Sequence, residues 1–260
     1  MLLKKWEKLP FEMQTKEVRE YYDILAKKRC SLFFKRIFDI IMSLIMLVIL
    51  FPVFLILAIA IKIDSKGPVF YRQIRITQYG KNFKIFKFRT MIENADKVGS
   101  LVTTYNDSRV TGVGKLIRKC RLDEICQLIN VLCGTMTFVG TRPEVPKYVA
   151  QYSPEMLATL LLPAGITSEA SIFYEDEDIL LKASDDIDKI YINHVLPQKM
   201  FYNLNAIKHY SFWRDIKIMI MTLFFMLGKK FHKGNLSDLT QVPSMVHSSA
   251  DLQGRYDSEK

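Results

Sequence analysis

Residues 118 to 144 read RKCRLDEICQLINVLCGTMTFVGTRPE, and the organisation of the chain turns on them. Leu122, Ile125, Leu128, Ile129 and Leu132 recur at helical spacing, Gly134 stands where a helix would stop, and Asp123 stands where an N-cap or first-turn residue would. The spacing predicts a short helix with one buried face. At its mouth lie two adjacent carboxylates, Asp123 and Glu124. Arg118, Lys119 and Arg121 precede them, and Arg142 follows the helix. Carboxylates ringed by cations beside a helix start suit a phosphorylated, metal-bearing ligand. Asp and Glu also open helices simply because they suit the dipole, and the helix alone does not separate the two readings.

A chain of 260 residues forms one large domain or two small ones. A net charge of +10 and a pI near 9.3 favour anionic partners, either acidic lipid or phosphate compounds. Nucleic acid is disfavoured, because the bases lie beside a long hydrophobic run. Cys30, Cys120, Cys126 and Cys133 form no CxxC pair. Three of them fall on or next to the central helix, where cysteine acts as a small buried hydrophobe, and a reducing cytosolic environment fits best. His194, His209, His232 and His247 have no metal-ligand spacing, so zinc has little support.

Residues 1 to 35 carry Val18, Tyr21, Tyr22 and Leu25 at helical spacing, followed by Lys27, Lys28 and Arg29. This is an amphipathic helix with a basic end, which either lies on an anionic membrane surface or packs against the body. From Ile40 to Ile61 run 22 residues in which only Ser43 and Pro52 are not strongly apolar, long enough to cross a hydrocarbon core of about 30 Å. The run starts too far into the chain for a cleavable signal peptide, and no small-residue cleavage site follows it. Lys35 and Arg36 precede it, and Lys62, Lys66, Arg72 and Arg75 follow it, so the positive-inside rule places both ends in the cytoplasm. Pro52 removes a helical donor near the middle, and the twelve residues from Ile40 to Phe51 rise only about 18 Å. A helix that enters, bends at Pro52 and returns to the same face satisfies charge and length together. The competing reading is a Pro-kinked transmembrane anchor.

After Gly67-Pro68 the period changes. Gln73, Arg75 and Thr77 alternate with Ile74 and Ile76, a polar turn follows at Tyr79 to Asn82, and Phe83, Ile85, Lys87 and Arg89 continue a second arm. This predicts a β-hairpin with a slip near Ile85-Phe86, whose bases form either a solvated face or a wall of the phosphate site. Asn94 to Asp107 reads as a polar loop, and the chain then passes Gly112 and Gly114 into the central helix. Ser153-Pro154-Glu155 has helix-start chemistry before Met156 to Leu162, and Pro163-Ala164-Gly165 ends that helix. The seven acidic residues between Glu175 and Asp188 match no calcium loop and read as a solvated acidic surface. Ser211 to Leu227 predicts a core or interfacial helix, and the chain from about His232 has the composition of a disordered tail.

These motifs together resemble the monotopic phosphoglycosyl transferases, the bacterial sugar transferase family that starts glycan assembly on a polyprenyl phosphate. The resemblance runs from about Lys35 to Leu227. It includes KRIFDIIMS, GPVFYRQIRI, KIFKFRTM, DSRVTGVGKLIRKCRLDE, QLINVLCGTM, FVGTRPE and PAGIT, in that order. Two departures stand out. Phe51 replaces the serine usual before the membrane-helix proline. The family's GPRP and RPGIT are here Gly140-Thr141-Arg142-Pro143 and Leu162-Pro163-Ala164-Gly165, so the first keeps its arginine and the second loses one.

The resemblance implies an α+β fold, mainly α, in a monotopic membrane protein. Residues 1–35 would be an amphipathic extension, 36–66 the re-entrant helix broken at Pro52, 67–231 a compact cytosolic catalytic domain with a small β-hairpin and interfacial helices, and 232–260 the tail. It implies that Asp123 attacks the β-phosphorus of a UDP-sugar, releasing UMP, and that undecaprenyl phosphate then takes the sugar phosphate from the aspartate. Glu124 would hold Mg²⁺. Arg118 and Arg142 would bind phosphate oxygens, with Lys87 and Arg89 as further contributors. Arg36 and Asp39 would fix the membrane helix. The implied setting is the cytoplasmic face of a bacterial inner membrane, among membrane lipids, with no nucleic-acid partner and with homo-oligomerisation left open. A Mg²⁺-dependent phosphoesterase or a non-catalytic membrane scaffold would use the same features differently.

Overall fold

The computed structural model describes residues 3–95, 107–174 and 187–226. Most of the Asn94–Asp107 loop, residues 175–186 of the acidic stretch and the tail from His232 lie outside them.

The N-terminal segment packs against the body. Helix α1 (Lys16–Ala26) is capped by Thr15, whose hydroxyl accepts from Val18 N. Its apolar stripe, Val18, Tyr21, Tyr22 and Leu25, is buried together with Leu3, Leu9, Met13, Leu160, Leu161 and Ile207. The two alternatives left open by its periodicity therefore resolve in favour of packing.

Helix α2 (Arg29–Asp64) is the single described helix long and apolar enough to cross a membrane. Its outer face exposes Ile41, Leu44, Ile45, Val48, Ile49, Phe51, Leu55, Ile56 and Ile59. Both of its ends are fastened to the body. Near the first, Asp39 accepts from Thr137 Oγ1 at 2.7 Å and Lys35 Nζ donates to Val139 O at 2.9 Å. Arg36 donates to Val131 O and Leu132 O at 2.6 and 2.9 Å. Near the second, Ile61 is buried beside Phe88, Ile117 and Cys126.

Pro52 divides the stretch of α2 between these dockings. Arg36 and Ile61 are 25 positions apart, about 38 Å of straight helix, whereas Cys126 and Val131 are only about 8 Å apart along theirs. Pro52 lies within the interval, lacks a donor and crowds the carbonyl one turn earlier. Phe51 is exposed and has no hydroxyl to satisfy a freed carbonyl.

Strands β1 (Phe70–Thr77) and β2 (Lys81–Phe88) form the expected hairpin, but without the slip: the antiparallel register runs unbroken from Phe70↔Phe88 to Thr77↔Lys81. Ile85 and Phe86 are both apolar because both faces of the hairpin are covered. Ile85 is buried in the core, while Phe86 on the other face lies under the Arg72 guanidinium, 4.3 Å from the ring centroid. The register places Tyr71, Gln73, Arg75 and Lys87 on one face.

Helix α3 (Gly112–Lys119) starts at Thr111, whose hydroxyl accepts from Gly114 N, and Asp64 at the end of α2 accepts from Val113 N. A 3₁₀ turn (Leu122–Glu124) and helix α4 (Gln127–Leu132) follow. Gly134, at φ +82, closes α4 with Gly134 N donating to Val131 O and Thr135 N to Asn130 O, a Schellman end. Strand β3 (Met136–Val139) then pairs in parallel with β4 (Ala164–Thr167). The segment around Pro163 does end a helical stretch, the 3₁₀ run Met156–Leu161, but Ala164 and Gly165 already belong to a strand that periodicity does not reveal. The two chains approach so closely that a Cβ on Gly165 would lie 2.2 Å from Gly140 N. Short helices α5 (Pro146–Val149), α6 (Glu169–Phe173) and α7 (Ile187–Ile190), a π-turn (Tyr191–Val195) and helix α8 (Leu196–Lys208) complete the body. Helix α9 (Phe212–Met226) buries Ile218 and Met221 and exposes Trp213, Ile220, Leu223 and Phe224. One side of it thus packs in the core, as the core alternative expects.

Arg89 is buried and donates to Lys66 O, Ser65 O and Ser65 Oγ at 2.7 to 2.9 Å, so it caps the end of α2. Gly67, at φ +116, leaves it room: a Cβ there would sit 2.1 Å from Arg89 Nη1. Arg89→Ala is expected to cost about 2 to 3 kcal/mol through the lost charged hydrogen bonds. Gly67→Ala should act in the same direction. Faster amide exchange at Ile61–Ser65 in both variants would be the sign; unchanged exchange would refute the capping role.

Candidate active site

The site is built on the turn between α3 and α4. Arg118 lies in the last turn of α3, and Arg121 adopts the left-handed conformation at φ +53 and ψ +25. That reversal leads into the 3₁₀ turn that carries Asp123 and Glu124. The single helix expected over Leu122–Leu132 is therefore a 3₁₀ turn followed by α4, and its buried face is shifted. Cys126, Gln127, Leu128, Asn130 and Val131 are buried, while Ile129 and Leu132 are only partly so. A tighter first turn rotates the residues after it, and α4 is covered from more than one side. Asn130 is the clearest consequence: its amide donates to Lys84 O at 3.1 Å and accepts from Phe86 N at 2.9 Å, tying α4 to β2.

The two acids have opposite surroundings. Glu124 is held by Lys87 Nζ at 3.1 Å and by both Arg142 nitrogens, Nη1 reaching Oε2 at 3.2 Å and Nη2 forming an ion pair with Oε1. Burial alone would raise its carboxyl, but the Arg142 and Lys87 charges and hydrogen bonds outweigh it and hold Glu124 well below the usual carboxylate range. Asp123 has no ion pair among the described residues. Burial pushes its carboxyl above the usual range, the Glu124 charge adds to this, and Lys87 and Arg118 counter it only in part. Burial likewise lowers Lys87 and Arg118.

Asp123 opens on a cavity of about 370 Å³ whose wall includes Tyr71, Gln73, Arg75, Lys87 and Arg118. Of the residues singled out in the sequence, the structure thus brings together Asp123, Glu124, Lys87, Arg118 and Arg142. Arg118 Nε donates to Thr90 Oγ1 at 2.8 Å, which fixes its fork at the cavity edge. Arg89 also borders the cavity, but its donors serve the end of α2. Pro52 lies in the exposed part of α2. Arg36 and Asp39 fix α2, as expected of them.

Arg75 was not singled out as a site residue. Its guanidinium donates to Gln73 Oε1 at 2.8 and 3.1 Å and to Pro143 O at 3.2 Å, and burial lowers its pKa against the opposing pull of Glu144. The period-2 alternation places Gln73 and Arg75 on one face of the hairpin but does not show that this face lines the cavity. Glu144 accepts from Tyr191 Oη at 2.5 Å, and its carbonyl accepts from Ile76 N, so the Arg142 loop is pinned against β1.

Cys126 is buried and burial raises its thiol, but Cys120 and Cys133 are exposed, contrary to the expectation that all three cysteines near α4 act as buried hydrophobes. No described group of three or more His, Cys, Asp or Glu residues converges as a metal cage. Asp123 and Glu124 nonetheless suit Mg²⁺, which takes one or two carboxylates and completes its shell with water and substrate phosphate. Glu124 Oε2 accepts one hydrogen bond here and keeps a lone pair.

The family model described as bacterial sugar transferase matches residues 30–229. A UDP-glucose:undecaprenyl-phosphate glucose-1-phosphate transferase of Klebsiella pneumoniae is 39% identical over 75% of this chain and 40% of its own. A protein of the same name from Escherichia coli (strain K12) is 37% identical over 73% of this chain and 39% of its own. A UDP-N-acetylgalactosamine-undecaprenyl-phosphate N-acetylgalactosaminephosphotransferase of Aeromonas hydrophila is 34% identical over 74% of this chain and 43% of its own. The chain thus spans about two-fifths of the length of these relatives.

The opposite perturbations of the two acids predict opposite stability effects. An acid raised by burial is destabilised as its anion, so the neutral isostere in Asp123→Asn is expected to melt no lower than the parent, and higher at neutral pH. Glu124→Gln leaves Lys87 and Arg142 without their counter-charge and should lose about 1 to 3 kcal/mol. Melting of the two variants in detergent at neutral pH checks this, and shifts of the same sign would contradict it.

Proposed function

The chain belongs to the bacterial sugar transferase family, and from that premise we propose that it moves a sugar-1-phosphate from a UDP-sugar to undecaprenyl phosphate. UMP is released, and glycan assembly begins on the lipid. The observation that carries the reading is the division of labour in the acid pair. Glu124 is already neutralised by Lys87 and Arg142, whereas Asp123 stands unpaired at a cavity lined by cations.

A carboxylate that burial has stripped of solvent is a better nucleophile than a hydrated one. Asp123 attacks the β-phosphorus of the donor. The bond from phosphorus to the UMP oxygen breaks, and UMP leaves with the electron pair. An oxygen of the lipid phosphate then attacks the same phosphorus, and Asp123 departs as a carboxylate. Arg118, Arg75 and Lys87 hold phosphate oxygens through both steps, the two guanidinium forks being fixed in advance by Thr90, Gln73 and Pro143. Mg²⁺, when bound at Glu124, supplies charge neutralisation for the diphosphate and the departing UMP. Arg142 orients Glu124 and takes part of its charge.

Helix α2 serves as a re-entrant anchor in this reading. Its apolar outer face enters the cytoplasmic leaflet, and its two ends, both flanked by bases and both docked on the body, stay on the cytoplasmic side. The nucleophile is thereby held at the plane where the lipid phosphate lies.

UMP release from UDP-glucose, UDP-galactose and UDP-N-acetylgalactosamine, with Mg²⁺ and undecaprenyl phosphate, tests the reaction. Lipid-linked product is expected, with a loss on the order of 10³-fold or more in Asp123→Asn and a covalent sugar-phosphate adduct on Asp123 when the lipid is withheld. Free phosphate or sugar phosphate as product would favour a phosphoesterase, and full activity in Asp123→Asn would sink the nucleophile. Because Asp123 must be ionised and burial raises its carboxyl, activity should fall on acidification at a higher pH than an ordinary aspartate would give. Cysteines placed at residues 34 and 66 should label from the same side of the membrane. Labelling from opposite sides would establish a transmembrane anchor instead.

A further inference from the structure

Arg121 is exposed and stands two residues before Asp123, yet it is absent from the wall of the donor cavity, which both Arg118 and Asp123 line. Its left-handed backbone separates the two arginines: a continuing helix would carry Arg121 on from Arg118, and the reversal turns it away. An arginine in this conformation costs roughly 1 kcal/mol that glycine or asparagine would avoid. Its guanidinium makes no hydrogen bond or ion pair among the described residues, and its aromatic contact is with the Phe225 ring, 5.8 Å from the centroid. Phe225 belongs to α9, where Leu223 and Phe224 beside it are 61% and 41% exposed. Arg121 therefore sits at the border between the catalytic turn and an open apolar face.

We propose that Arg121 receives the phosphate of the lipid acceptor. The inference rests on the transferase reading and adds an acceptor-side cation to it. A phosphate monoester whose tail lies in the bilayer reaches Asp123 along the apolar face, and the sugar phosphate carried by Asp123 occupies the cavity side. A planar fork beside an aromatic ring, with no hydrogen bond or ion pair among the described residues, suits two phosphate oxygens at once. Held there, the acceptor presents a third oxygen to the phosphorus carried by Asp123. That oxygen forms the new P–O bond as the bond to the Asp123 carboxylate breaks, and Arg121 offsets the charge of the two phosphates brought together.

The test uses the full chain in phosphatidylcholine nanodiscs, with undecaprenyl phosphate titrated into the bilayer. Arg121→Asn and Arg121→Gly remove the cation and relieve the backbone, so loss of fold is not the expected consequence. Arg121→Lys keeps a charge without the fork. Affinity for undecaprenyl phosphate, and its KM in the full reaction, should weaken about tenfold in the Asn and Gly variants and less in Lys, while the KM for UDP-sugar stays within about twofold. Equal affinity in parent and variants overturns the proposal. So does an equal loss of affinity for phosphatidylserine vesicles, which would mark general headgroup attraction. If the parent releases no UMP from any donor, the transferase reading falls separately, and the nanodisc titration still decides whether Arg121 binds a lipid phosphate.

Discussion

The hydrogen bonds that Lys35, Arg36 and Arg89 donate at the two docked ends of α2 are the constraint on which the rest of the structure depends. Arg36 reaches from α2 to the last carbonyls of α4, Lys35 and Asp39 engage β3, and Arg89 reaches from the end of β2 to the last carbonyls of α2. An apolar helix has no directional preference of its own, since burial is proportional to area and indifferent to orientation. The polar contacts give it one. They also tie it to α4, which follows directly on the turn carrying Glu124, and to the hairpin that carries Lys87. A displacement of α2 would therefore be felt at the acid pair through Asn130, which bridges α4 and β2.

The acid pair works because neighbouring positions in one short turn meet different environments. Glu124 lies where the hairpin and the Gly140–Glu144 loop converge, and it receives a cation from each. Asp123, one residue earlier, faces the cavity and receives none within ion-pairing distance. Burial acts on both, so the difference in their ionisation comes from partners and not from depth. The charged side chains around them are themselves desolvated, which strengthens each pairing and leaves every unpaired group costly. Such cost is tolerated where a ligand is to supply the missing partner.

Much of this was legible in the residues. The acid pair, Arg118, Arg142 and Lys87 were identified from charge clustered at a helix mouth and from motif order, and they do converge. Arg89 shares the parity of Lys87 in the sequence, so the two read as one face of a strand. The strand ends at Phe88, however, and parity has no meaning beyond the last paired residue. Arg75 was passed over for the complementary reason: alternation shows which residues share a face but not which face lines the cavity. Strands β3 and β4 carry no legible alternation because they are four residues long and almost wholly buried, and their parallel pairing joins segments 28 residues apart. The slip expected at Ile85-Phe86 arose from reading two consecutive apolar residues as a register fault, when the two simply pack on opposite faces of an unbroken hairpin.

The division between anchoring and positioning can be argued from magnitudes. Each large apolar side chain moved fully out of water contributes about 1.5 to 3 kcal/mol, and α2 exposes nine such residues between Ile41 and Ile59 alone. Half of that area would already exceed the stabilisation needed to keep a protein of this size on a membrane, so adhesion does not require the buried charges of α2. Those charges are expensive to desolvate and would be replaced by apolar residues if retention were the only demand. Their retention is explained by depth and orientation. An apolar surface alone would let the body roll and slide along the bilayer, and the turn carrying Arg121 and Asp123 would rise and fall with it. In the proposed reaction a soluble donor and a lipid-borne phosphate must both come within about 3 to 3.5 Å of one nucleophile, and fixed hydrogen bonds at both ends of α2 hold the body at one orientation to that helix.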